Sequence, residues 1–404
     1  MALLRRVGVG DFQIGPEERD AILEVLDSNR ITEGRRVLEF ESRFSRYIGK
    51  RFSVLVNSGT SALVTGLNAL RYCRDVGGAS KVITTPLTYI ATINGIKHAG
   101  LEPVFVDVEI SDFNITPEKI REHIEAVDDV ADYSVILPVH LMGFPVDMLS
   151  VNRIADEQGL ITFEDAAQAH GSLLDGRKCG SFGLVSIFSF YIAHNIQVGE
   201  MGAVVTDDDE IMKFARRFKA NGRMCDCAVC TRSQGTCPNI GRLEEGRDPR
   251  FYHIHTGYNF KTSDIFAAIG VVQLKKADEI MRKRYENVKK LNEGLEGFSD
   301  LIQLPRLSED ISYLAYPILI KKPEIMSRMK LTRTLEENGI ETRPLFSCIP
   351  TQQPAYSVMM QNYEGKLPNA EYVGENGFYI GCHQYLDEGD LNYIIDIFTK
   401  VLKQ

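Results

Sequence analysis

Short apolar runs, separated by segments with helical periodicity, recur through the first two thirds of this chain. Five of these runs are SVLVN (53–57), KVITT (81–85), PVFVDV (103–108), SVILPV (134–139) and LITFED (160–165). Between them, segments such as Thr60–Cys73 and Met148–Gln158 carry apolar residues at three- and four-residue spacing. Strands that are apolar throughout belong to parallel sheets covered by helices on both faces. The pattern therefore predicts an α/β domain with a mostly parallel sheet.

The pattern changes near residue 262. A helical stretch from about Ser263 to Leu295 is followed by ISYLAYPILI, a helix near Met326–Asn338, IETRPL, GFYIG and a closing helix near Glu388–Leu402. A chain of 404 residues is also long for one ordinary core. We predict a large domain over residues 1–262, and a linking helix with a smaller α+β domain over residues 263–404.

Composition narrows the class of protein. Hydrophobic residues make up 44% and charged residues 25% of the chain, as in globular proteins. The net charge of -9 argues against nucleic acid as a partner. No apolar run approaches the roughly 20 residues of a membrane helix, and the start MALLRRVGVGDF lacks the apolar core of a signal peptide. We therefore expect a cytoplasmic protein with no membrane partner and no disulfides.

The motif NSGTSAL (57–63) follows a predicted strand and opens a predicted helix. Ser58, Gly59 and Thr60 would direct main-chain amides and hydroxyls at an anion, with help from the helix dipole. Serine and threonine also cap helices for purely structural reasons. Both interpretations stay open at the level of the sequence.

Polar residues also follow other strands. In FEDAAQAHG (163–171), Asp165 stands at the end of a strand, where α/β sheets bind ligands, and is a candidate partner for a protonated heterocycle nitrogen. The alternative role of Asp165 is to cap a helix. A lone histidine such as His170 more often has a structural role. In TYIAT, Tyr89 is placed either to pack in the core or to stack on a ligand.

Taken together, the motifs resemble the DegT/DnrJ/EryC1/StrS family of sugar-modifying enzymes, which have the fold-type-I architecture and use pyridoxal or pyridoxamine phosphate. The resemblance runs from GDFQIGPEERDAILEVLDSNRITEG to the last helix. It is carried by NSGTSAL, TPLTYIAT, PVFVDV, PVHLMGFPVDM, EDAAQAHG, GSFG, FSFYIAHN, GEMGAVVTDD and GYNFKTSDIFAAIG.

The family implies roles for the matching residues. Asp165 would hold the pyridinium nitrogen charged, Tyr89 would stack on the ring, and Gln168 would contact another part of it. The cofactor phosphate would be held by Ser58, Gly59, Thr60 and Ser189. Asn259, in GYN, would reach the phosphate of a neighbouring subunit, which implies a homodimer with shared active sites.

One position departs from most of the family. Where most members carry a lysine that binds the cofactor covalently, FSFYIAHN has His194. Imidazole cannot form that bond, so the cofactor would be held non-covalently as pyridoxamine phosphate. A smaller subgroup with this histidine consists of sugar-nucleotide 3-dehydratases. The resemblance implies that His194 is the base that removes a proton from the cofactor C4′ carbon.

Four cysteines lie within thirteen residues, CDCAVCTRSQGTC, in a polar loop over 221–252. NGRMCDCAVC resembles the iron–sulfur branch of the subgroup, typified by CDP-4-keto-6-deoxyglucose 3-dehydratase. This implies a [2Fe–2S] cluster on Cys225, Cys227, Cys230 and Cys237. In that enzyme one ligand lies beside the ring-pairing aspartate, where this chain reads DAAQ, so Cys179 is an alternative fourth ligand. Zinc and free thiols are the other interpretations.

The resemblance thus implies C3 deoxygenation of a nucleotide-linked 4-keto-6-deoxyhexose, with the cluster relaying electrons from a reductase, ferredoxin or flavodoxin. One alternative is a metal-free dehydratase of the colitose-pathway type, with structural zinc or free cysteines. Another is a non-catalytic regulatory protein that binds the cofactor. An aminotransferase would need a lysine to replace His194, and Lys261 is nearby in sequence. No motif identifies the nucleotide.

Overall fold

The computed structural model describes residues 5–74, 78–231, 235, 237, 239 and 247–403. The α-helices of the described part are α1 (Pro16–Asp27), α2 (Arg35–Ile48), α3 (Gly59–Cys73), α4 (Ala91–His98), α5 (Pro117–Ala126), α6 (Met148–Gln158), α7 (Asp209–Phe218), α8 (Asp264–Lys275), α9 (Ala277–Leu295), α10 (Arg328–Glu337), α11 (Pro368–Asn376) and α12 (Glu388–Leu402).

The largest sheet has seven strands in the order β1-β9-β8-β5-β4-β2-β3. Its strands are β1 (Phe52–Val56), β2 (Lys81–Thr84), β3 (Glu102–Phe105), β4 (Tyr133–Leu137), β5 (Ile161–Asp165), β8 (Val185–Ser189) and β9 (Gly202–Thr206). The pairs β2–β3, β2–β4, β4–β5 and β5–β8 are parallel, whereas β9 runs antiparallel to both β1 and β8. The prediction of a mostly parallel sheet is confirmed.

A short hairpin of β6 (Leu173–Leu174) and β7 (Arg177–Lys178) lies between β5 and β8 in sequence. The remaining strands form a four-stranded antiparallel sheet in the order β10-β11-β13-β12. They are β10 (Ile302–Gln303), β11 (Tyr316–Ile320), β12 (Arg343–Pro344) and β13 (Gly377–Ile380). Helices and antiparallel strands after residue 263 match the expected α+β composition.

Local chemistry sets where the helices begin. Ser58 caps α3 by accepting a hydrogen bond from the Ser61 N–H, and Asp208 caps α7 in the same way from the N–H groups of two following residues. Ser263 caps α8 through the Phe266 N–H. These caps satisfy main-chain donors that a helix start leaves without a partner.

The helical stretch predicted over residues 263–295 is two helices, α8 and α9, separated by Lys276. The Lys276 N–H donates to the Gln273 carbonyl at 3.0 Å, the tighter spacing of a 3-10 turn. The Lys276 Nζ lies 2.8 Å from Glu18 Oε1 and 2.9 Å from Glu17 Oε2 in α1. The predicted helical stretch is therefore present but divided into two helices, and the break lies where a tertiary ion pair holds the chain.

The main hydrophobic cluster includes residues from both sheets, such as Val56 and Phe163 of the large sheet and Ile318 and Phe378 of the small one. This continuity means that the boundary at residue 262 stays a prediction. No helix in the described ranges is both long and apolar enough to cross a membrane.

Candidate active site

A pocket of about 710 Å³ lies where β1, β5 and β8 reach their carboxyl ends, and residues of the small sheet close its other side. Its volume is in the usual range for small-molecule sites. We call it the sheet-edge pocket. It brings together eight residues predicted from the sequence, namely Ser58, Gly59, Thr60, Tyr89, Asp165, Gln168, Ser189 and His194.

One end of the sheet-edge pocket is the N-terminus of α3. Ser58 and Ser61 hydroxyls lie 3.0 Å apart, and the Ser61 hydroxyl donates to Asn57 Oδ1 at 2.6 Å. A Cβ on Gly59 would lie 2.6 Å from the Ser189 Cβ, so only glycine fits between strand and helix. Helix N-termini favour anions because their first amide groups lack intrahelical partners. Ser58 caps α3 and also lines the pocket, so the capping interpretation is observed and anion binding stays a prediction.

Asp165 lies at the end of β5 and is 3% exposed. Its Oδ2 accepts from the Thr92 hydroxyl at 2.8 Å, and its Oδ1 accepts from the Ala167 N–H at 3.1 Å. Burial raises the pKa of Asp165, although these two hydrogen bonds oppose the shift. No ion pair joins Asp165 to a cation within the described residues. A cationic N–H group from a ligand would supply the missing charge.

The main chain that carries Asp165 is fixed from behind. The neighbouring carboxylate of Glu164 is fully buried and accepts main-chain N–H groups of Gly180, Phe182 and Gly183. Its Oε2 also lies 3.0 Å from His140 Nε2. Because Glu164 uses all its bonds within the scaffold, Asp165 is the carboxylate of this pair that lines the sheet-edge pocket.

His194 lies in the turn after β8, where its N–H donates to the Tyr191 carbonyl at 2.9 Å. The residue is half-buried, and its Nδ1 is buried without a hydrogen-bond partner in the part of the chain that the structure describes. Burial and then the charge of Arg284 lower the pKa of His194 to about 4, against a hydrogen bond with the main chain of Ser189. The imidazole is therefore neutral at neutral pH, the form that accepts a proton.

Tyr89 and Gln168 differ in how firmly they are held. Tyr89 is 60% exposed, and its ring centroid lies 6.1 Å from that of Phe346, across the pocket mouth. Gln168 is buried, and its Oε1 accepts from the Met142 N–H at 2.8 Å. An open aromatic face beside a fixed amide is an arrangement that suits a planar ligand.

Several residues of this pocket were not predicted from the sequence. Thr92 follows Tyr89 by three residues in TYIAT, so helical spacing was the signal that could have found it. Three further lining residues, Glu200, Arg343 and Tyr379, carried no functional signal in the sequence. Arg343 and Tyr379 lie in β12 and β13 of the small sheet, far along the chain from the other pocket residues. Lysine does not occur among the described residues that line the sheet-edge pocket.

A second pocket, of about 370 Å³, is lined by all four clustered cysteines, and we call it the cysteine pocket. Cys225, Cys227 and Cys237 are half-buried and Cys230 is exposed. Burial raises the pKa of Cys225 and of Cys227. Within the described residues, no group of three or more His, Cys, Asp or Glu side chains is arranged to hold a metal ion. The thiols thus share a pocket without the arrangement of a ligand set.

Basic side chains also line the cysteine pocket, namely Arg30, Arg216, Arg223, Arg250 and Lys261. Arg30 Nη2 donates to the Cys230 carbonyl at 3.2 Å, and Asn239 Nδ2 lies 3.1 Å from Cys227 Sγ. Asn259 and Lys261 line this pocket rather than the sheet-edge pocket of their own chain. Asn259, the residue predicted to reach the phosphate of a neighbouring subunit, therefore does not share a pocket with Gly59 and Ser189 of its own chain.

Cys179 lies outside the cysteine pocket. It is fully buried after β7, and its thiol lies near His140 on the scaffold behind Asp165. The structure does not bring this alternative ligand together with the cysteine cluster. Of the two histidines in YHIHTGYN, His253 is exposed and His255 packs on Phe214, with ring centroids 4.9 Å apart. Neither histidine lines the cysteine pocket.

The sheet-edge pocket fits a phosphorylated pyridine cofactor. An anion-binding helix start, a buried carboxylate without a cationic partner and an exposed aromatic ring line one cavity. These are complements of a phosphate, a protonated ring nitrogen and a ring face. The chemistry of the cysteine pocket, four thiols near basic side chains, suits a thiolate-bound centre, but the thiols lack its geometry.

Comparison with known proteins identifies the family. The model of the DegT/DnrJ/EryC1/StrS aminotransferase family matches residues 13–399. The lipopolysaccharide biosynthesis protein RfbH of Salmonella typhimurium strain LT2 is 32% identical over 398 residues, covering 96% of this chain and 90% of that protein. The dTDP-4-dehydro-2,6-dideoxy-D-glucose 3-dehydratase of Saccharopolyspora spinosa is 33% identical over 392 residues, covering 94% of this chain and 83% of that protein.

The fold agrees. The solved structure of E. coli GDP-4-keto-6-deoxy-D-mannose-3-dehydratase with bound hydrated PLP superposes with a TM-score of 0.84 at 26% identity. It covers 97% of this chain and 99% of that chain. The α/β architecture is thus that of the fold-type-I pyridoxal-phosphate enzymes, and the chain belongs to the DegT/DnrJ/EryC1/StrS aminotransferase family.

Proposed function

We propose that this protein is a pyridoxamine-phosphate-dependent 3-dehydratase of a nucleotide-linked 4-keto-6-deoxyhexose. The observation that carries the proposal is the presence of a neutral His194 in a sheet-edge pocket whose described lining contains no lysine. Such a pocket offers a proton acceptor and lacks an amine that could bond the cofactor covalently. Two dehydratases among the relatives and solved structures support the same chemistry.

The residues of the pocket have distinct tasks in this proposal. Bound pyridoxamine phosphate supplies the amine that condenses with the 4-keto group and the ring that withdraws electrons from the adduct. Gly59 and Ser189 bind the phosphate at the start of α3. Asp165 keeps the ring nitrogen protonated, since a buried carboxylate is stabilised by an adjacent positive charge. Tyr89 and Gln168 orient the ring.

His194 moves the proton. Its neutral imidazole accepts the proton from C4′. Loss of the C3 hydroxyl as water requires a proton, and an imidazolium with a lowered pKa donates one readily. A single histidine therefore suffices for both transfers, with no net change in its protonation.

The substrate class follows from the size and charge of the pocket. A cavity of about 710 Å³ admits a sugar next to the cofactor. Arg343 is the one arginine or lysine among its described lining residues, and it is half-buried on the small-sheet side. It is a candidate contact for the diphosphate of the sugar nucleotide. We also propose a homodimer, in which Asn259 contacts the phosphate bound by the partner.

For the cysteine pocket we propose a [2Fe–2S] cluster bound by Cys225, Cys227, Cys230 and Cys237. Support comes from the four thiols in one pocket and from the basic side chains around them, which offset thiolate charge. Net C3 deoxygenation would then consume two electrons from an external reductase, ferredoxin or flavodoxin. Metal binding would have to rearrange the loop, since its thiols are not arranged as ligands without metal.

A second candidate is a dehydratase of the colitose-pathway type without an iron–sulfur cluster, whose cysteines are free thiols or bind structural zinc. The arrangement of the described thiols, which does not form a ligand set, supports its free-thiol form. A cofactor-binding regulatory protein would have the same sheet-edge pocket without turnover. An aminotransferase would need a lysine such as Lys261 to act from the cysteine pocket of a neighbouring chain.

One assay separates these functions. Protein purified anaerobically would be tested for iron, sulfide and zinc, loaded with pyridoxamine phosphate, and given 4-keto-6-deoxyhexoses linked to CDP, GDP, dTDP or UDP. Loss of the C3 hydroxyl from one substrate supports the proposal, and dependence on an electron donor supports the cluster. Formation of a 4-amino sugar with glutamate would establish an aminotransferase. Cofactor binding without turnover of any substrate would establish the regulatory protein.

A further inference from the structure

Arg284 is a fully buried cation behind the active site. It lies in α9, and its side chain has no exposed surface. Its Nη1 donates to the carbonyls of Leu314 at 2.7 Å and Tyr313 at 3.2 Å. Its Nε donates to Gln384 Oε1 at 3.2 Å, and its Nη2 lies 3.5 Å from the His194 carbonyl.

The charge of Arg284 is surrounded by neutral hydrogen-bond acceptors. Within the described ranges, no carboxylate lies at ion-pair distance from its guanidinium. Its acceptors are neutral carbonyl and amide oxygens, and the thiol of Cys382 lies nearby. A buried charge without a counter-charge destabilises a fold unless its hydrogen bonds offset the loss of hydration. A residue kept at that cost in the fold needs an explanation beyond packing.

The acceptors of Arg284 belong to three different segments. His194 lies in the turn after β8, Leu314 precedes β11, and Gln384 follows β13. Two of them, His194 and Leu314, line the sheet-edge pocket. The guanidinium therefore joins one wall of the pocket from the large sheet to another wall from the small-sheet side. The adjacent Asn195 reinforces this connection, since its Nδ2 donates to the Ser312 carbonyl at 2.5 Å.

Several other titratable or charged side chains lie near His194. On its own turn the ring of Tyr191 lies 6.0 Å away between centroids, and after β5 the ring of His170 lies 6.1 Å away. Asn195, on the same turn, is uncharged. Other titratable or charged side chains that line the same pocket are Tyr89, Asp165, Glu200, Arg343 and Tyr379. Arg284 is the cation that lies directly against the main chain of His194.

We propose that Arg284 is a positioning residue of the active site, which fastens the main chain of His194 to the wall at Leu314 and disfavours positive charge on the imidazole. The inference rests on the proposed role of His194 as proton acceptor. In this inference α9, which lies outside the pocket, keeps His194 in place and its imidazole neutral. The lowered pKa of His194, caused by burial and by Arg284, agrees with it.

The test follows the protonation of His194 directly. Protein labelled with ¹⁵N histidine and loaded with pyridoxamine phosphate would be titrated by NMR, and loss of a signal in His194→Asn would assign the residue. At pH 5.5 an ordinary imidazole is about nine-tenths protonated. We expect the His194 imidazole of the wild-type protein to stay neutral there. Titration of wild-type His194 near its ordinary pKa would overturn the inference without any variant.

Variants of Arg284 give the second readout. Arg284→Met keeps the approximate volume and removes both charge and donors. We expect the titration midpoint of His194 to rise by about 1 unit or more. We expect exchange of the C4′ proton with solvent to slow roughly tenfold or more, because the acceptor is displaced. Arg284→Lys keeps the charge without the fork of donors, so it should restore the midpoint more than the rate.

The matched control is Arg282→Met, on the same helix. Arg282 is exposed and pairs with Glu286 of α9, so its loss should leave both the midpoint and the exchange rate unchanged. An Arg284→Met protein that is folded, with an unchanged midpoint and rate, would refute the inference alone. If the wild-type protein exchanges no C4′ proton, the proposed function fails, and the His194 midpoints still measure the effect of Arg284.

Discussion

The sheet-edge pocket and the cysteine pocket differ in how the fold holds their functional groups. In the first, Asp165 and Ser189 stand at the ends of strands and are fixed by main-chain pairing, and Gly59 stands at the start of α3. In the second, four thiols lie on a loop between α7 and α8, and they are not arranged as metal ligands. A site built on element ends is preorganised, whereas a site built on a loop needs its ligand for order.

The largest expected effect comes from a substitution that removes the proton acceptor of the sheet-edge pocket and leaves the rest of the pocket unchanged. His194→Asn removes the proton acceptor but keeps a polar side chain of similar size. Exchange of the C4′ proton should fall by about a thousandfold or more, within the range for loss of a general base. Affinity for pyridoxamine phosphate, measured by its absorption on titration, should stay near that of the wild type.

The control for this change is His98→Asn, since His98 is exposed at the end of α4. It should leave both exchange and binding unchanged. Exchange that survives in His194→Asn at the wild-type rate would remove histidine as the base, and with it the proposed function.

A smaller effect tests whether the phosphate end of the sheet-edge pocket is preorganised. In Gly59→Ala the new Cβ would approach the Ser189 Cβ to 2.6 Å, so the strand end or the helix start has to move. We expect affinity for pyridoxamine phosphate to fall roughly a hundredfold, on the scale of a 1 Å displacement. Equilibrium titration of the cofactor measures this.

Gly297→Ala is the matched control for Gly59→Ala, because a Cβ there meets no atom within 4 Å. It should bind the cofactor as the wild type does. If Gly59→Ala also binds normally, the α3 N-terminus does not hold the phosphate.

Acid should weaken the scaffold behind the sheet-edge pocket. His383 is 2% exposed, and neither ring nitrogen has a hydrogen-bond partner among the described residues. Burial and then the charge of Arg284 lower its pKa to about 4. The unfolded chain therefore binds more protons, so this stability is complete above about pH 6.5 and is lost as pH falls towards 4. At pH 5.5 this histidine alone should shift the unfolding equilibrium about tenfold. Denaturant unfolding at pH 7 and pH 5.5 measures the loss.

A variant isolates the contribution of His383 to that acid sensitivity. His383→Gln cannot titrate, so its stability should fall less between pH 7 and pH 5.5 than that of the wild type. His253→Gln, at an exposed histidine near the cysteine pocket, should retain the full wild-type sensitivity. Equal sensitivity in His383→Gln and the wild type would contradict the assignment of a buried neutral imidazole.

The smallest expected effect on cofactor affinity comes from a substitution in the cysteine pocket, and it tests whether the two pockets are independent. Cys225→Ser should remove bound iron and sulfide but change the affinity for pyridoxamine phosphate by less than about twofold, since separate elements hold the two sites. Metal analysis and cofactor titration measure both. Cys348→Ser, at a buried thiol far along the chain in the small-sheet part, should retain the metal. Normal iron content in Cys225→Ser would exclude that thiol as a ligand.

Much of the sheet-edge pocket could be predicted from the sequence because its residues lie in short motifs at strand ends. Asp165 and Gly59 were identified in this way, and helical spacing from Tyr89 would have added Thr92. Arg284 could not be found, because it stands in MRKRYENVKK, which has the composition of a solvent-exposed helix face. Only packing of α9 against the turn after β8 and the chain before β11 buries it.

The sequence by itself determined the α/β class, the alternation of strands and helices over residues 53–165, and the histidine in place of a lysine. These are local properties, set by hydrophobic periodicity and by residue types at the ends of elements. Tertiary structure alone decided the break at Lys276, the approach of the small sheet to the pocket, and the absence of Cys179 from the cysteine cluster. Each of these depends on contacts between residues far apart in the chain, which no local pattern encodes.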